Sequence, residues 1–330
     1  MRLHKGLLVT VAIALAAAAQ AQERTLKFAT QNPKGHPIVI GMEKFAELVA
    51  AKGGGKLKVQ LFPGGVLGGD QANVSSLQGG TLEIASMNSG ILAAQVKEFG
   101  IYDFPFMFAN SKEADTVVDG PFGTSMHDKL EAKGIIGLAY WELGFRNITN
   151  SRRAINKVDD IAGLKLRVIP NAINVDWVKA LGANPTPLPF PEVYAALDQK
   201  AIDGQENPVT VINANKFYEV QKYLVLTRHQ YNPQSVIFSK KVWDSLSAGE
   251  RKIITDAAVE AGKVERQAAR EQEGQALDNL KRNGMQVTEL SAVELAKLRE
   301  AMKPVIAKHS EIVGREVVAA LQAELSKLRQ

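Results

Sequence analysis

Cysteine is absent from the 330-residue chain. That excludes disulfide frameworks, thiol nucleophiles and cysteine-ligated zinc or iron–sulfur centres. Aromatic residues make up only 6%, few for a surface on which nucleic-acid bases stack. Acidic and basic residues are interspersed, as from Lys263 to Glu273, without the basic stripe that tracks phosphates, so no nucleic-acid partner is expected. The five histidines, His4, His36, His127, His229 and His309, form no H-E-x-x-H and have no carboxylate at metal-ligand spacing, so no metal site is expected. His127 and His309 read as residues of helix surfaces. There is no G-x-S-x-G elbow and no G-x-G-x-x-G fingerprint, so neither a hydrolase nucleophile nor a dinucleotide cofactor is announced locally. Gly64-Gly65-Val66-Leu67-Gly68-Gly69-Asp70 looks like a phosphate cradle, but Asp70-Gln71 stands where a P-loop needs Lys and Ser or Thr, and a carboxylate there repels phosphate. No cofactor is expected. The loop reads instead as the entry to a helix, with Asp70 either its cap or an acceptor for a ligand hydroxyl.

Long apolar runs are also lacking, with one exception. Met1-Arg2-Leu3-His4-Lys5 is a basic leader to the apolar run Gly6 to Ala19, followed by Ala19-Gln20-Ala21. This is the pattern of a secretory signal peptide over residues 1–21, and the run is shorter than the roughly 18 residues a membrane helix needs. The mature protein is therefore expected in the periplasm. Its net charge falls from +5 to +3 once Arg2 and Lys5 are removed.

What remains has ordinary globular proportions, 45% hydrophobic and 23% charged, and a length that suits about two domains at roughly 150 residues each. A strand at Leu26–Thr30 leads to an amphipathic helix at Pro37–Ala51, whose apolar Ile38, Met42, Phe45, Leu48 and Val49 keep helical spacing. The glycines Gly53 to Gly55 stop it, and Lys56–Phe62 alternates like a half-buried strand. The β-loop-α alternation recurs at Glu83–Asn88, Ile135–Trp141, Leu164–Ile169 with Asn171–Leu181, and Thr186–Leu188 with Glu192–Leu197. It predicts an α/β fold with mainly parallel pairing. From Ser247 the pattern is nearly all helical, opened by the capping box Ser247-Ala248-Gly249-Glu250 and broken by one short strand at Met285–Thr288. These helices are expected to wrap over two α/β lobes and connect them.

Two segments carry chemistry. One is Gly144-Phe145-Arg146-Asn147-Ile148-Thr149-Asn150. The other is Gly163-Leu164-Lys165-Leu166-Arg167-Val168-Ile169-Pro170-Asn171. In the second, the leucines alternate with Lys165 and Arg167, and the following proline places Arg167 near the strand's carboxyl end, where open α/β sheets bind ligands. Its guanidinium is either the partner of a surface carboxylate or the fork that grips a ligand's carboxylate bidentately. His36, in the loop after the first strand, is a candidate to face a cleft.

Downstream stands Ala183-Asn184-Pro185-Thr186-Pro187-Leu188-Pro189-Phe190-Pro191-Glu192-Val193-Tyr194-Ala195-Ala196-Leu197, then Ala201-Ile202-Asp203-Gly204-Gln205-Glu206-Asn207-Pro208. These motifs resemble the solute-binding proteins of tripartite ATP-independent periplasmic (TRAP) transporters, closely to the sialate-binding branch from Arg146 to about Gln234 and more loosely over nearly the whole mature chain. The resemblance implies a two-lobed Venus-flytrap fold with mixed sheets in each lobe and a helical C-terminal region spanning both. One lobe would hold residues 24–144 and about 233–271, the other 145–232 and about 272–330. It implies that Arg167 makes the main bidentate contact to a ligand carboxylate, assisted by Arg146 and Asn207. Asn171 and Phe190 would bond and cover the ligand, although one inserted residue between Arg167 and Asn171 alters the latter's aim. Gln31, Asp70, Asn88 and Gln234 match cleft positions of the opposite lobe and a returning strand.

The departures narrow the ligand. Where the sialate branch carries a glutamate and an arginine, this chain has Asn88 and Ile91, which suits a smaller polyol tail. Tyr140-Trp141-Glu142 offers a sugar-stacking face with a hydroxyl acceptor, or else core packing. The expected function is capture of a small organic acid, a hexuronate or an aldonate, by a monomeric binding protein that is not an enzyme and that delivers its solute to the membrane subunits of a TRAP permease. The alternatives are a C4-dicarboxylate binder of the same fold, and a sugar-acid hydrolase built on Asp70 and Glu142.

Overall fold

The computed structural model describes residues 23–329. The signal peptide expected over residues 1–21 lies outside them. Among the described residues nine strands form one sheet: β1 (Arg24–Thr30), β2 (Leu57–Phe62), β3 (Ile84–Asn88), β4 (Ile135–Asn150), β5 (Lys165–Val168), β6 (Asn184–Pro187), β7 (Gly204–Asn207), β8 (Tyr223–Ser239) and β9 (Gln286–Glu289). Their order is β2-β1-β3-β8-β4-β7-β5-β6, with β9 added to β8. The outer pairs β1–β2, β1–β3, β5–β6 and β5–β7 are parallel, as the βαβ alternation requires, since each pair is joined by a crossover. The centre is antiparallel, which that alternation does not foretell. There β4 and β8 pair along most of their length, and each turns to different neighbours at its two ends.

Those two strands make the molecule two-lobed. The C-terminal half of β8 pairs with β3 through Gln234–Phe238, while its N-terminal end pairs with β9 through Tyr223–Leu226. Likewise the last residues of β4, Asn147–Asn150, pair with β7. The ladder between β4 and β8 slips at Gly137/Ala139, Glu142/Gly144 and Arg146/Ile148. Gly144, at φ +106°, takes a conformation that L side chains rarely adopt. Such bulges bend a strand and concentrate its twist, so the sheet turns between the lobes at Glu142–Ile148.

The helices cover both faces. Pro37–Lys52 and Ala248–Arg282 pack on each other and on β4. Ser247 opens the 35-residue helix Ala248–Arg282 with the expected capping box: its Oγ accepts from Glu250 N, and the Glu250 carboxylate accepts from Ser247 N. That helix also reaches Val209–Ala214 of the second lobe. Helix Ala292–Val313 packs on the turn Lys97–Asp103 of the first lobe and on helix Ala172–Ala180 of the second. The helical C-terminus therefore spans both. Among the described residues no helix is long and apolar enough to cross a membrane.

Two histidines depart from expectation. His127 is buried, its ring stacked on Tyr140 at 3.8 Å between centroids. His309 is also buried and bonds to Asp176 at 2.7 Å. Each lies on the inward stripe of its helix, which spacing alone does not reveal for an isolated polar residue.

Candidate functional site

A cavity of about 400 Å³ lies between the lobes, beside the bulged stretch of β4. Arg167 enters it from the carboxyl end of β5. Its residue is 3% exposed, its Nε donates to Leu188 O at 2.9 Å, and its guanidinium carbon sits 5.7 Å from the centre of the Phe190 ring. No described residue accepts a hydrogen bond from Nη1 or Nη2, and no described carboxylate lies within ion-pair distance. Burial, opposed by Glu206 and Asp70 and reinforced by Arg146, lowers its pKa to about 10. A guanidinium still charged at neutral pH, with its fork bare toward a cavity, is poised to take an anion.

Arg146 is held differently. Its Nε and Nη2 grip the Glu206 carboxylate, Nη2 also reaches the Glu206 carbonyl, and Nη1 donates to Asn232 Oδ1 at 2.8 Å. Four of its five N–H groups are thus used, and one Nη1 hydrogen remains. Burial pushes Glu206 up, but the attraction of Arg146 and a contact from His229 outweigh it and hold its pKa at about 2. Asn232 Oδ1 also accepts from Asn88 Nδ2 at 2.8 Å, while its own amide donates to Asp103 at 3.0 Å. This buried network fixes Arg146 and leaves Arg167 as the uncompensated charge.

Neutral polar groups complete the wall. Asn207, on β7, donates to Gln205 and lines the cavity, as do Asn88 and Gln234, paired across β3 and β8. Gln31, just past β1, donates to Gly68 O at 3.0 Å, and its Oε1 is buried without a partner. Asp70 is the first residue of helix Asp70–Gly79. The N-cap is Gly69, so Asp70 does not cap the helix. Its side chain is half-buried overall, yet Oδ1 is fully enclosed and unpartnered. Burial, only partly offset by Gln31 and Arg167, pushes its pKa up to about 7.

Eight of the expected residues therefore meet at the cavity: Arg167, Arg146, Asn207, Phe190, Gln31, Asp70, Asn88 and Gln234. Three do not. His36 caps helix Pro37–Lys52, its Nδ1 accepting from Ile38 N at 3.2 Å, and is 1% exposed. Asn171 caps helix Ala172–Ala180 through Asn174 N and turns its amide to Asp103, away from the cavity. Glu142 points to the opposite side of β4, where it accepts from Ser111 and Arg270. Tyr140 and Trp141 are core residues, the Trp141 indole donating to Ala258 O at 3.0 Å, so these two offer no sugar-stacking face. The pair Asp70 and Glu142 that a hydrolase would need is not assembled.

The site also contains residues the sequence reading missed. Asn232 is the hub of the buried network, and Ser86 and Glu192 line the cavity. Asn232 did leave a signal. Gln230, Asn232 and Gln234 recur at period two along β8, and all three are buried, a pattern that a simple core strand would not keep.

The lobes touch at the rim. Across the mouth, Gly65 and Gly69 of the glycine loop face Pro191 and Pro189, so close that a Cβ on Gly65 would stand 3.0 Å from Pro191 Cγ. This is a closed cleft around a bare arginine fork. The profile of the bacterial extracellular solute-binding proteins, family 7 (DctP), matches residues 28–311. The chain belongs to this family. Solved structures agree with the DctP assignment. A TRAP periplasmic solute-binding protein of Ochrobactrum anthropi, with its C-terminus bound in the ligand-binding pocket, is 55% identical, covers 94% of this chain and 97% of its own, and superposes with a TM-score of 0.83. The sugar acid binding protein DctPAm of Advenella mimigardefordensis, in complex with galactonate, is 43% identical over 93% of this chain and 99% of its own, with a TM-score of 0.91. A TRAP solute-binding protein of Polaromonas bound to D-erythronate is 39% identical over 91% and 99%, with a TM-score of 0.88. DctP proteins are periplasmic, bind small acids and work with TRAP permeases; they are transport components and not enzymes.

Proposed function

We propose that this protein captures a sugar acid in the periplasm, most directly an aldonate, and presents it to the membrane subunits of a TRAP permease. The observation that carries this reading is the bare Arg167 fork, buried between lobes that close on each other. A carboxylate set against it gains two parallel charge-assisted hydrogen bonds, each contributing about 1.5 to 3 kcal/mol net. Arg146, with its spare Nη1 hydrogen, and Asn207 line the same cavity and can add donors to that carboxylate. A polyhydroxylated tail then meets Gln31, Asn88, Gln234 and Asp70, which together accept and donate without requiring a second charge. The ligands of the Advenella and Polaromonas proteins are aldonates, and the pocket of the Ochrobactrum protein takes a polypeptide C-terminus, which also ends in a carboxylate.

Closure follows from the placement of these groups. Arg167 and Asn207 belong to one lobe, and Gln31, Asp70 and Asn88 to the other. A ligand touching both favours the closed form by its differential contacts.

Calorimetric titration with galactonate, D-erythronate, galacturonate, glucuronate and succinate tests the reading. At least one sugar acid binds, and Arg167→Ala weakens that binding by about a hundredfold or more, because the anion is left buried and unpaired. A loss under about fivefold, or binding of succinate alone, overturns it. Small-angle scattering should show the radius of gyration shrinking when the acid is added.

A further inference from the structure

Among the described residues four charged side chains line the cavity: Arg146, Arg167, Asp70 and Glu192. Arg146 is neutralised by Glu206. Arg167 is therefore the one cation among the described lining residues that has no carboxylate within 4.0 Å. Asp70 stands on the opposite lobe, near enough for each to influence the other's charge, yet not in ion-pair contact. Its enclosed Oδ1 has no partner. We infer that Asp70 restricts the site to acids with a single carboxylate, by holding a negative group where the tail of a ligand clamped on Arg167 must lie. This deepens the sugar-acid reading and rests on it.

The chemistry is that of one acceptor facing two kinds of ligand end. A hydroxyl donates its proton to the Asp70 carboxylate, which lines the cavity. A second carboxylate offers no proton, and the lining supplies no second free cation to neutralise it. It would lie against Asp70, with Glu192 also on the wall. Specificity of this sort is built by opposing the wrong partner as much as by attracting the right one. The groups facing Asp70 are the Gln31 amide from the end of β1, Arg167 from β5 and Glu192 beyond β6, with the Arg146–Glu206 pair completing the charged set. Arg167 stays charged at neutral pH. Burial has already raised Asp70 to about 7, so a dianion can enter at lower pH by leaving Asp70 protonated, as a donor. Exclusion of dianions should therefore sharpen as pH rises.

Galactonate and galactarate form a matched pair, since only the terminal hydroxymethyl group becomes a carboxylate; D-erythronate and tartrate form a shorter one. Calorimetry on the full mature chain at pH 6 and pH 8.5, where both dicarboxylates are dianions, reads the discrimination directly. The wild type should prefer the monoacid by about a hundredfold or more at pH 8.5, and by about tenfold less at pH 6. Asp70→Asn, which keeps the shape and removes the charge, should cut the preference at least tenfold and abolish its pH dependence. If a monoacid binds but Asp70→Asn leaves the ratio unchanged, the inference fails while the sugar-acid reading stands. Should the variant not fold, a pH-independent ratio in the wild type overturns the inference equally. If neither monoacid and neither uronate binds at all, the functional reading itself falls.

Discussion

Gly65 and Pro191 face each other across the mouth of the cleft, with room for a hydrogen but not a methyl group. A Cβ on Gly65 would meet Gln31 Oε1 at 2.8 Å and Pro191 Cγ at 3.0 Å, and the residue sits at φ +72°. Its neighbour Gly64 has nearly the same backbone, φ +77°, but nothing within 4 Å. Both alanine variants carry the left-handed strain of roughly 1 to 2 kcal/mol, and only Gly65→Ala also obstructs closure. Calorimetry should find ligand affinity nearly unchanged in Gly64→Ala and about tenfold weaker in Gly65→Ala. Equal affinities would mean that the rim contact plays no part in closure.

Arg167 is expected to stabilise the complex and destabilise the empty protein. An uncompensated buried cation opposes folding, and the lowered pKa has that sign. Arg167→Met keeps the stem and removes the charge. Thermal melting without ligand should rise, by the equivalent of about 1 to 3 kcal/mol, while the stabilisation added by the sugar acid disappears. A lower melting point in the empty variant would show that the guanidinium is already paired.

For Arg146 the reverse holds. Glu206→Gln leaves its guanidinium buried without a counter-ion and should cost about 3 kcal/mol or more in urea unfolding. The double variant Arg146→Met with Glu206→Leu should recover most of that loss, since an apolar pair replaces a buried ion pair at little penalty. Glu206 titrates near 2 in the folded protein against 4.5 ordinarily, so its contribution is present above pH 4.5 and lost as the pH falls toward 2. The difference between wild type and Glu206→Gln should narrow over that window.

His127 gives a second pH signature. Burial alone lowers it from 6.5 to about 3, so its neutral ring supports the fold above pH 6.5 and that support is lost between 6.5 and 3 as protonation is resisted. His127→Gln should be less stable at pH 8, where the stacking on Tyr140 is missed, and should close the gap by about 1.4 kcal/mol per pH unit below 6.5. Comparison with the wild type cancels Asp70 and Asp103, whose raised values act in the opposite sense over part of that range.

Much of this was legible in the sequence, for identifiable reasons. Arg167 stood out because a short alternating strand ends at a proline, and the structure places it at a sheet terminus facing a cleft. The outer strands and the capping box at Ser247 are local features with local causes. Glu142 faces away from the cavity because strand parity breaks within β4. Glu142 and Arg146 are an even number of residues apart and should share a face, but the slip at Glu142/Gly144 sets them opposite Pro233 and Gln230, an odd number apart on β8. His36 and Asn171 lie in the right loops, but helix caps consume their acceptors. Neither the spacing of apolar residues nor residue type reports which nearby amide will take a side chain first. The Asn232 hub joins residues more than a hundred positions apart, as in its bond to Asn88, and only the folded sheet brings them together.

Because β4 and β8 each serve both halves, neither half of the molecule is a detachable module. A cut between the lobes severs two strands in mid-ladder, so a grafted half would arrive with unpaired backbone along its newly exposed margin. New solute preferences in such an architecture have to come from individual substitutions in the cavity wall, and wholesale exchange of lobes between relatives is closed to it.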